Sequence, residues 1–479
     1  MVFSSMQFLF VFFPVVFGVY FVLPTIRLKN LFLLFASLMF YIWGERNYVF
    51  VMLASITITW AGGVLLEKSR SDKERRIALA TGIIVNLLLL AYYKYAVFLI
   101  QSFGNALALV GIRFAAPENL QHVHLPAGIS FFTFQAISYL IDLNRGTIKC
   151  QRNLATFGMY KSFFPQLIAG PIVRYAHIEK EVDHRPVSWA HVTEGISIFC
   201  VGLAQKILLA NPMGQLADDV FNSPLADLTS ASTWLGATAY DLQIFFDFSG
   251  YSQMAIGLGR MFGFTFPQNF NVPYTASSIT DFWRRWHMSL SSWFRDYLYI
   301  PLGGNRCSKT RNFFNLFIVF FLCGLWHGAS WTFVIWGAYH GLFLCLEKAG
   351  LLEKLNKAPV GLSRLYAMLV VLVGWVFFRA DSLTYALGFL KKMFGLDSTP
   401  LSADRLSLYD LLNYERIVVF SIALVLSAQL YPKLPVFQSS ERPHPLAEIV
   451  RGVALSGVFL LSLVYLAGST FNPFIYFRF

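Results

Sequence analysis

Residues 324–331 read GLWHGASW and lie inside a stretch, Asn312 to Leu346, that holds no Lys, Arg, Asp or Glu. A membrane helix needs about 20 apolar residues, so this run is long enough to enter a bilayer, turn and continue. Gly324, Gly328 and Ala329 leave room for a helix break or a substrate, and His327 stands among them beside Trp326. Apolar runs of this length recur along the 479-residue chain, which is 56% hydrophobic and 13% charged. An ordinary soluble domain carries about 25% charged residues. The fold class is therefore all-α: a polytopic membrane protein with about 11–13 transmembrane or re-entrant helices.

The first spans are expected at 6–24, 29–44, 48–66 and 77–100, and a further one at 125–141. The opening residues lack a basic n-region and a small-residue cleavage site, so they are expected to remain as a first span. Later spans are expected at 313–327, 329–346, 363–378, 417–431 and 449–468. Between 154 and 310 the apolar stretches are interrupted by Gly and Pro, the pattern of re-entrant backbone. No internal repeat or heptad run divides the chain. The simplest organisation is one integral-membrane domain, 1–479, in which 449–479 forms a last helix and an aromatic tail.

The net charge of +12 does not point to nucleic acid, because the basic residues sit in short loops between spans. The loop 67–76 holds Lys68, Arg70, Lys73, Arg75 and Arg76, so it is expected in the cytoplasm. Counting back three spans places the N-terminus outside. Arg442 and Arg451 put the segment before the last span inside, so the C-terminus also lies outside. Cys150, Cys200, Cys307, Cys323 and Cys345 are scattered, with no CxxC pair, and imply neither a disulfide framework nor a zinc site.

Ionisable groups within a membrane are expensive and mark function unless they tie helices together. In YDLQIFFDFSGYS, helical spacing sets Tyr240, Gln243, Asp247 and Tyr251 on one face, with Gly250 allowing another backbone close. This stripe is either a substrate path or a hydrogen-bonded seam between helices. In DFWRRWHMSLSSWFRDYLYI (281–300), Trp283, Trp286, His287, Leu290, Phe294 and Tyr297 recur with helical spacing. They predict one continuous amphipathic helix at the headgroup level. A role as interfacial anchor explains its tryptophans and arginines but not His287. A neutral imidazole, with pKa near ~6.5, can take a proton from a nucleophile. His327 is thus either a general base or a hydrogen bond between helices. His287, His327 and His340 lack ligand spacing and an accompanying carboxylate cluster, so no metal is expected.

These blocks together resemble the membrane-bound O-acyltransferases. The resemblance rests on KNLFLLFASLMFYIWG, YYKY, LPAGISFFTFQAISYLIDLNRG, FFPQLIAGPIVRY, FFDFSGYSQMAIGLG, FWRRWHMSLSSWFRDYLYIPLGGNR and GLWHGASWTFVIWGAYHG. It runs almost end to end and is strongest towards the membrane subunits of bacterial alginate O-acetylation, with peptidoglycan and cellulose acetylation as related cases. Gln253 departs from it, since relatives often carry Asp there. The resemblance implies helices ringed around a central funnel, with backbone breaks near the histidines. It implies that His327 is the essential histidine and His287 a second one in the tunnel. Trp286, Trp326, Gln243, Asp247 and Tyr251 are then candidates for the substrate path, and Arg284, Arg285 and Arg306 are either snorkelling anchors or contacts for CoA phosphates.

It also implies acetyl-CoA as donor substrate with no permanently bound cofactor, and a periplasmic SGNH-type acetyltransferase as partner. The location implied is the bacterial inner membrane. The ending FNPFIYFRF is similar to the C-terminal tyrosine motif of the small partner of D-alanine-transferring relatives. Tyr476 is accordingly a candidate to carry the acetyl group. From the residues alone, a multi-pass transporter that moves an acetyl donor without covalent chemistry is the alternative.

Overall fold

The computed structural model describes residues 1–114, 117, 123–397, 405–429, 445–468 and 471. Helices account for nearly all of the regular structure, and among the described residues β-pairing is confined to one isolated bridge between Leu228 and Leu406. Five helical stretches are long and apolar enough to cross a membrane: Ile26–Lys68, Asp72–Leu109, Trp189–Phe221, Val360–Arg379 and Glu448–Gly468. The protein is an all-α polytopic membrane protein.

The described chain divides into two compact units. One comprises 1–195, 255–267 and 328–330, and the other 196–254, 268–327 and 331–479. The first contains α1 (Ile26–Glu45), α2 (Val49–Lys68) and α3 (Asp72–Leu90), and α1 and α3 begin where the sequence offers an N-cap. Thr25 accepts from the amide of Leu28, and Ser71 from that of Glu74. α4 (Ile129–Arg145) packs against both α2 and α3 and is buried along almost its whole length. α5 (Leu154–Ser162) brings in Lys161, which is fully buried. Its ammonium donates to the Ser55 carbonyl at 2.8 Å, the Ser55 hydroxyl at 2.6 Å and the Thr59 hydroxyl at 2.9 Å. A buried polar group is costly unless hydrogen-bonded in this way.

The second unit holds most of α6 (Ser230–Met261), then α7 (Ile279–Arg285), α8 (Met288–Phe294), α9 (Lys309–His327), α10 (Trp331–Leu346) and α11 (Val360–Arg379). α9 and α10 form a hairpin that breaks after His327, where the glycine-containing turn was expected. Gly324 does not leave room for a substrate. A Cβ there would collide with the Phe333 carbonyl oxygen and lie 3.0 Å from the Cα of Gly337. The two glycines let the helix backbones meet, as small residues do between membrane helices.

The expected continuous helix at 281–300 is broken in the structure. α7 stops at Arg285, Trp286 is extended, and His287 takes the left-handed conformation (φ 43, ψ 54) before α8 begins. The break turns the tryptophans inwards: Trp283 and Trp286 are buried rather than set at a headgroup surface. The span Trp189–Phe221, which the interrupted composition of 154–310 obscured, carries a single cation in its apolar middle, Lys206.

Candidate active site

The second unit brings His287, His327 and His340 into one aromatic cluster. His327 is the last residue of α9 and is only 6% exposed. Its ring lies 5.0 Å from Trp326, 5.1 Å from Trp336 and 5.2 Å from Phe378, in edge-on contacts. Trp326 also approaches His287, with ring centroids 6.1 Å apart. Trp336 in turn meets His340 at 5.1 Å. Imidazole and indole thus alternate along His287, Trp326, His327, Trp336 and His340. Such a wall excludes water and strengthens whatever polar interactions form against it.

His287 is fully buried and its Nδ1 lies 3.0 Å from Oδ1 of Asn269. Phe248 of α6 stands edge-on to it at 4.6 Å. The left-handed backbone at His287 is a conformation that few side chains adopt. It aims the side chain away from the direction that a continuous helix would have given it. Trp286 packs on Phe270 and Trp375, each at 5.0 Å. His340 is fully buried on α10, and neither ring nitrogen has a hydrogen-bond partner among the described residues.

The polar stripe on α6 meets neighbouring helices of the same unit. Tyr240, Gln243, Asp247 and Tyr251 are all buried on one helix. Asp247 forms a buried ion pair with Lys206, and Gln243 packs against Gly214, where a Cβ would come within 2.6 Å of its amide nitrogen. Gly250 does admit a neighbouring backbone: a Cβ there would come 2.7 Å from the carbonyl oxygen of Gly202. Of the arginines, Arg285 pairs with Asp281 at 2.8 Å, whereas Arg284 and Arg306 are exposed. Tyr476 lies outside the described residues.

Sequence reasoning missed three residues that build this region. Asn269 holds His287, and Lys206 neutralises Asp247. Glu347 is 1% exposed and accepts from the amides of Ile279 and Thr280 at 2.6 and 2.8 Å, from the Thr280 hydroxyl at 2.6 Å and from Tyr366 at 3.2 Å. It clamps the first turn of α7, where a carboxylate suits the unpaired amides. Only Lys206 and Glu347 carry a signal in the sequence, Lys206 as a cation within an apolar run and Glu347 as a carboxylate at the end of one. No group of three or more His, Cys, Asp or Glu that could hold a metal occurs among the described residues.

Residues 151–352 match the model of the MBOAT, membrane-bound O-acyltransferase family. The chain is 39% identical, over 100% of both proteins, to a probable alginate O-acetylase of Azotobacter vinelandii. It is 43% identical to a probable alginate O-acetylase of Pseudomonas aeruginosa, over 84% of this chain and 76% of that protein. A peptidoglycan O-acetyltransferase of Helicobacter pylori is 34% identical over 84% of this chain and 81% of its own length.

Proposed function

Since this chain belongs to the membrane-bound O-acyltransferase family, we propose that it takes acetyl from cytoplasmic acetyl-CoA and passes it across the bilayer for O-acetylation of an exported, alginate-type polysaccharide. The class is an O-acyltransferase in a multi-pass membrane protein; the donor, the direction and the polymer are the proposal. The observation that carries it is the position of His327 at the end of α9, walled by Trp326, Trp336 and Phe378 and linked through Trp326 to His287. Two imidazoles in a dry aromatic enclosure suit acyl transfer better than passage of a bulky ligand.

In the proposed reaction His327 is the general base. It takes the proton of an acceptor hydroxyl while the hydroxyl oxygen attacks the thioester carbonyl. The carbon–sulfur bond breaks, the acetyl ester forms, and the imidazolium returns its proton to the departing CoA thiolate. The hydroxyl is assigned to Tyr476. A phenol, with pKa near ~10, is a good leaving group, so its acetyl ester stays activated for transfer. A periplasmic SGNH-type acetyltransferase then collects the group for the polymer. The alginate assignment is supported by full-length similarity to proteins named for alginate O-acetylation. Peptidoglycan is the second reading, on the similarity to the Helicobacter protein.

The test is incubation of the purified, full-length protein in lipid vesicles with acetyl-labelled CoA, followed by peptide mapping. Thioester cleavage with label on Tyr476, both lost in His327→Gln, is the expected result. Intact thioester in the wild-type protein would remove acetyl-CoA as donor. Cleavage with normal turnover in Tyr476→Phe would remove the tyrosine carrier.

A further inference from the structure

His287 is held by a segment that lies well upstream in sequence. Residues 269–271 run alongside 285–288: the amide of Asn271 donates to the Arg285 carbonyl and that of Met288 to the Asn269 carbonyl, both at 2.9 Å. This strap fixes the backbone on either side of the left-handed His287. It also delivers the Asn269 side chain, which is 1% exposed, to the imidazole.

The orientation of the Asn269 amide follows from its other partners. Its Oδ1 receives the backbone amide of Ser289 at 3.3 Å and the Ser289 hydroxyl at 2.8 Å. A backbone N–H can only donate, so the atom facing it is the oxygen and not the NH2 group. The Nδ2 then donates to the hydroxyl of Ser252 at 3.0 Å, which completes a consistent assignment. His287 Nδ1 lies 3.0 Å from that same oxygen, and an amide oxygen carries no hydrogen. The hydrogen between them therefore belongs to Nδ1. A neutral imidazole protonated at Nδ1 keeps its lone pair at Nε2. Nε2 is buried and has no hydrogen-bond partner among the described residues.

We infer that Asn269 is a positioning residue of the acyl-transfer site, fixing His287 as the Nδ1–H tautomer so that Nε2 acts as an acceptor. The inference rests on the reading that places His287 in that site. In this tautomer neutral His287 receives a hydrogen from an O–H or S–H group. It cannot stabilise an oxyanion from Nε2, so that task falls to other donors. Asn269 works through His287 and touches no substrate in this scheme.

Two readouts test the inference on the full-length protein in lipid nanodiscs. The first is 15N spectroscopy of histidine-labelled protein, with the His287 signals assigned by their loss in His287→Gln. The expected result is a protonated Nδ1 and an unprotonated Nε2 at His287. A hydrogen on Nε2 in the wild-type protein would overturn the inference outright. The second is polymer O-acetylation by cells carrying Asn269→Leu or Asn269→Asp, each checked for insertion and monodispersity. Leucine fills similar space without an acceptor and is expected to lower acetylation on the order of 100-fold, as misplaced catalytic groups do. Aspartate keeps the acceptor oxygen and is expected to retain both the Nδ1–H signature and most of the activity. Wild-type acetylation in the leucine variant would sink the positioning role. Normal acetylation in His287→Gln, with the tautomer as described, would instead remove His287 from the reaction and leave the hydrogen-bond assignment standing.

Discussion

The amine of Lys206 lies 2.8 Å from Oδ1 of Asp247, with the two side chains 3% and 1% exposed. The pair makes Asp247 a structural tie as well as a member of the α6 stripe. Breaking a buried pair by removing one charge costs about 3–5 kcal/mol, whereas replacing both by apolar groups is often neutral. Asp247→Asn is therefore expected to lower the melting temperature of the detergent-solubilised protein sharply. Asp247→Leu combined with Lys206→Met is expected to recover most of the loss. A melting temperature unmoved by Asp247→Asn, with acetylation abolished, would return Asp247 to the substrate path.

His327→Gln keeps a hydrogen-bonding side chain of similar reach but no proton acceptor near neutral pH. Because His327 is packed against three aromatic rings, the variant is expected to insert and fold. General acid–base catalysis contributes roughly 100- to 10,000-fold, so acetylation should fall by that order. Retained activity would make His327 a structural contact between helices.

How much of this was legible in sequence differs from residue to residue. Helical spans and the break at Gly328 follow from apolar run length and small residues, which are local properties. His327 stood out because an imidazole in an uncharged run has few reasons to be there. His287 is visible in the sequence but its setting is not: spacing at 281–300 predicts one helix, and the break depends on hydrogen bonds to the Asn269 carbonyl and from the Asn271 amide. Nothing within a helical window encodes a partner from a separate loop. For the same reason the sequence at Gly324 suggests space beside His327, which the backbone of α10 at Gly337 occupies. The role of Lys206 is equally non-local, because its partner, Asp247, lies on another helix.

Gly324→Ala gives a direct test of that close approach. The added methyl would collide with the Phe333 carbonyl and crowd Gly337, forcing α9 and α10 apart. Overpacking of this kind costs about 1–3 kcal/mol. The same shift would draw Trp336, on α10, away from His327, on α9. Lower thermal stability together with lower acetylation is expected. An unchanged melting temperature would show that the hairpin relaxes without strain.

Glu347 sits on the N-terminal turn of α7, the helix that leads to His287. Glu347→Gln replaces one acceptor oxygen with an NH2 group that faces donors already present. Hydrogen bonds to a charged group contribute about 1.5–3 kcal/mol, so a fall in unfolding free energy of that order is expected. Glu347→Asp preserves the charge but shortens the reach, and should fall between the two. Equal stability of the wild-type and Gln proteins in a denaturant titration would rule out the clamp.

Orientation in the membrane can be tested at the helical stretch Asp72–Leu109, 38 residues long. At about 1.5 Å per residue it exceeds the ~30 Å hydrocarbon core with several turns to spare. If it crosses, its two ends project on opposite sides of the bilayer. The N-terminal end carries Lys73, Arg75 and Arg76 and adjoins Lys68 and Arg70, a cluster for which the positive-inside rule predicts the cytoplasmic side. Asn105, near the other end, is exposed. Single cysteines at these ends, in an otherwise cysteine-free protein, report the orientation through an impermeant maleimide applied to intact cells. Lys73 suits the N-terminal end because its substitution leaves the Ser71 cap on the Glu74 amide intact. Lys73→Cys is expected to be protected until the cells are opened, and Asn105→Cys to react at once. The reverse pattern would turn the protein over in the membrane and require the acetyl donor to approach from outside. Labelling at both positions in intact cells would mean that the stretch does not cross.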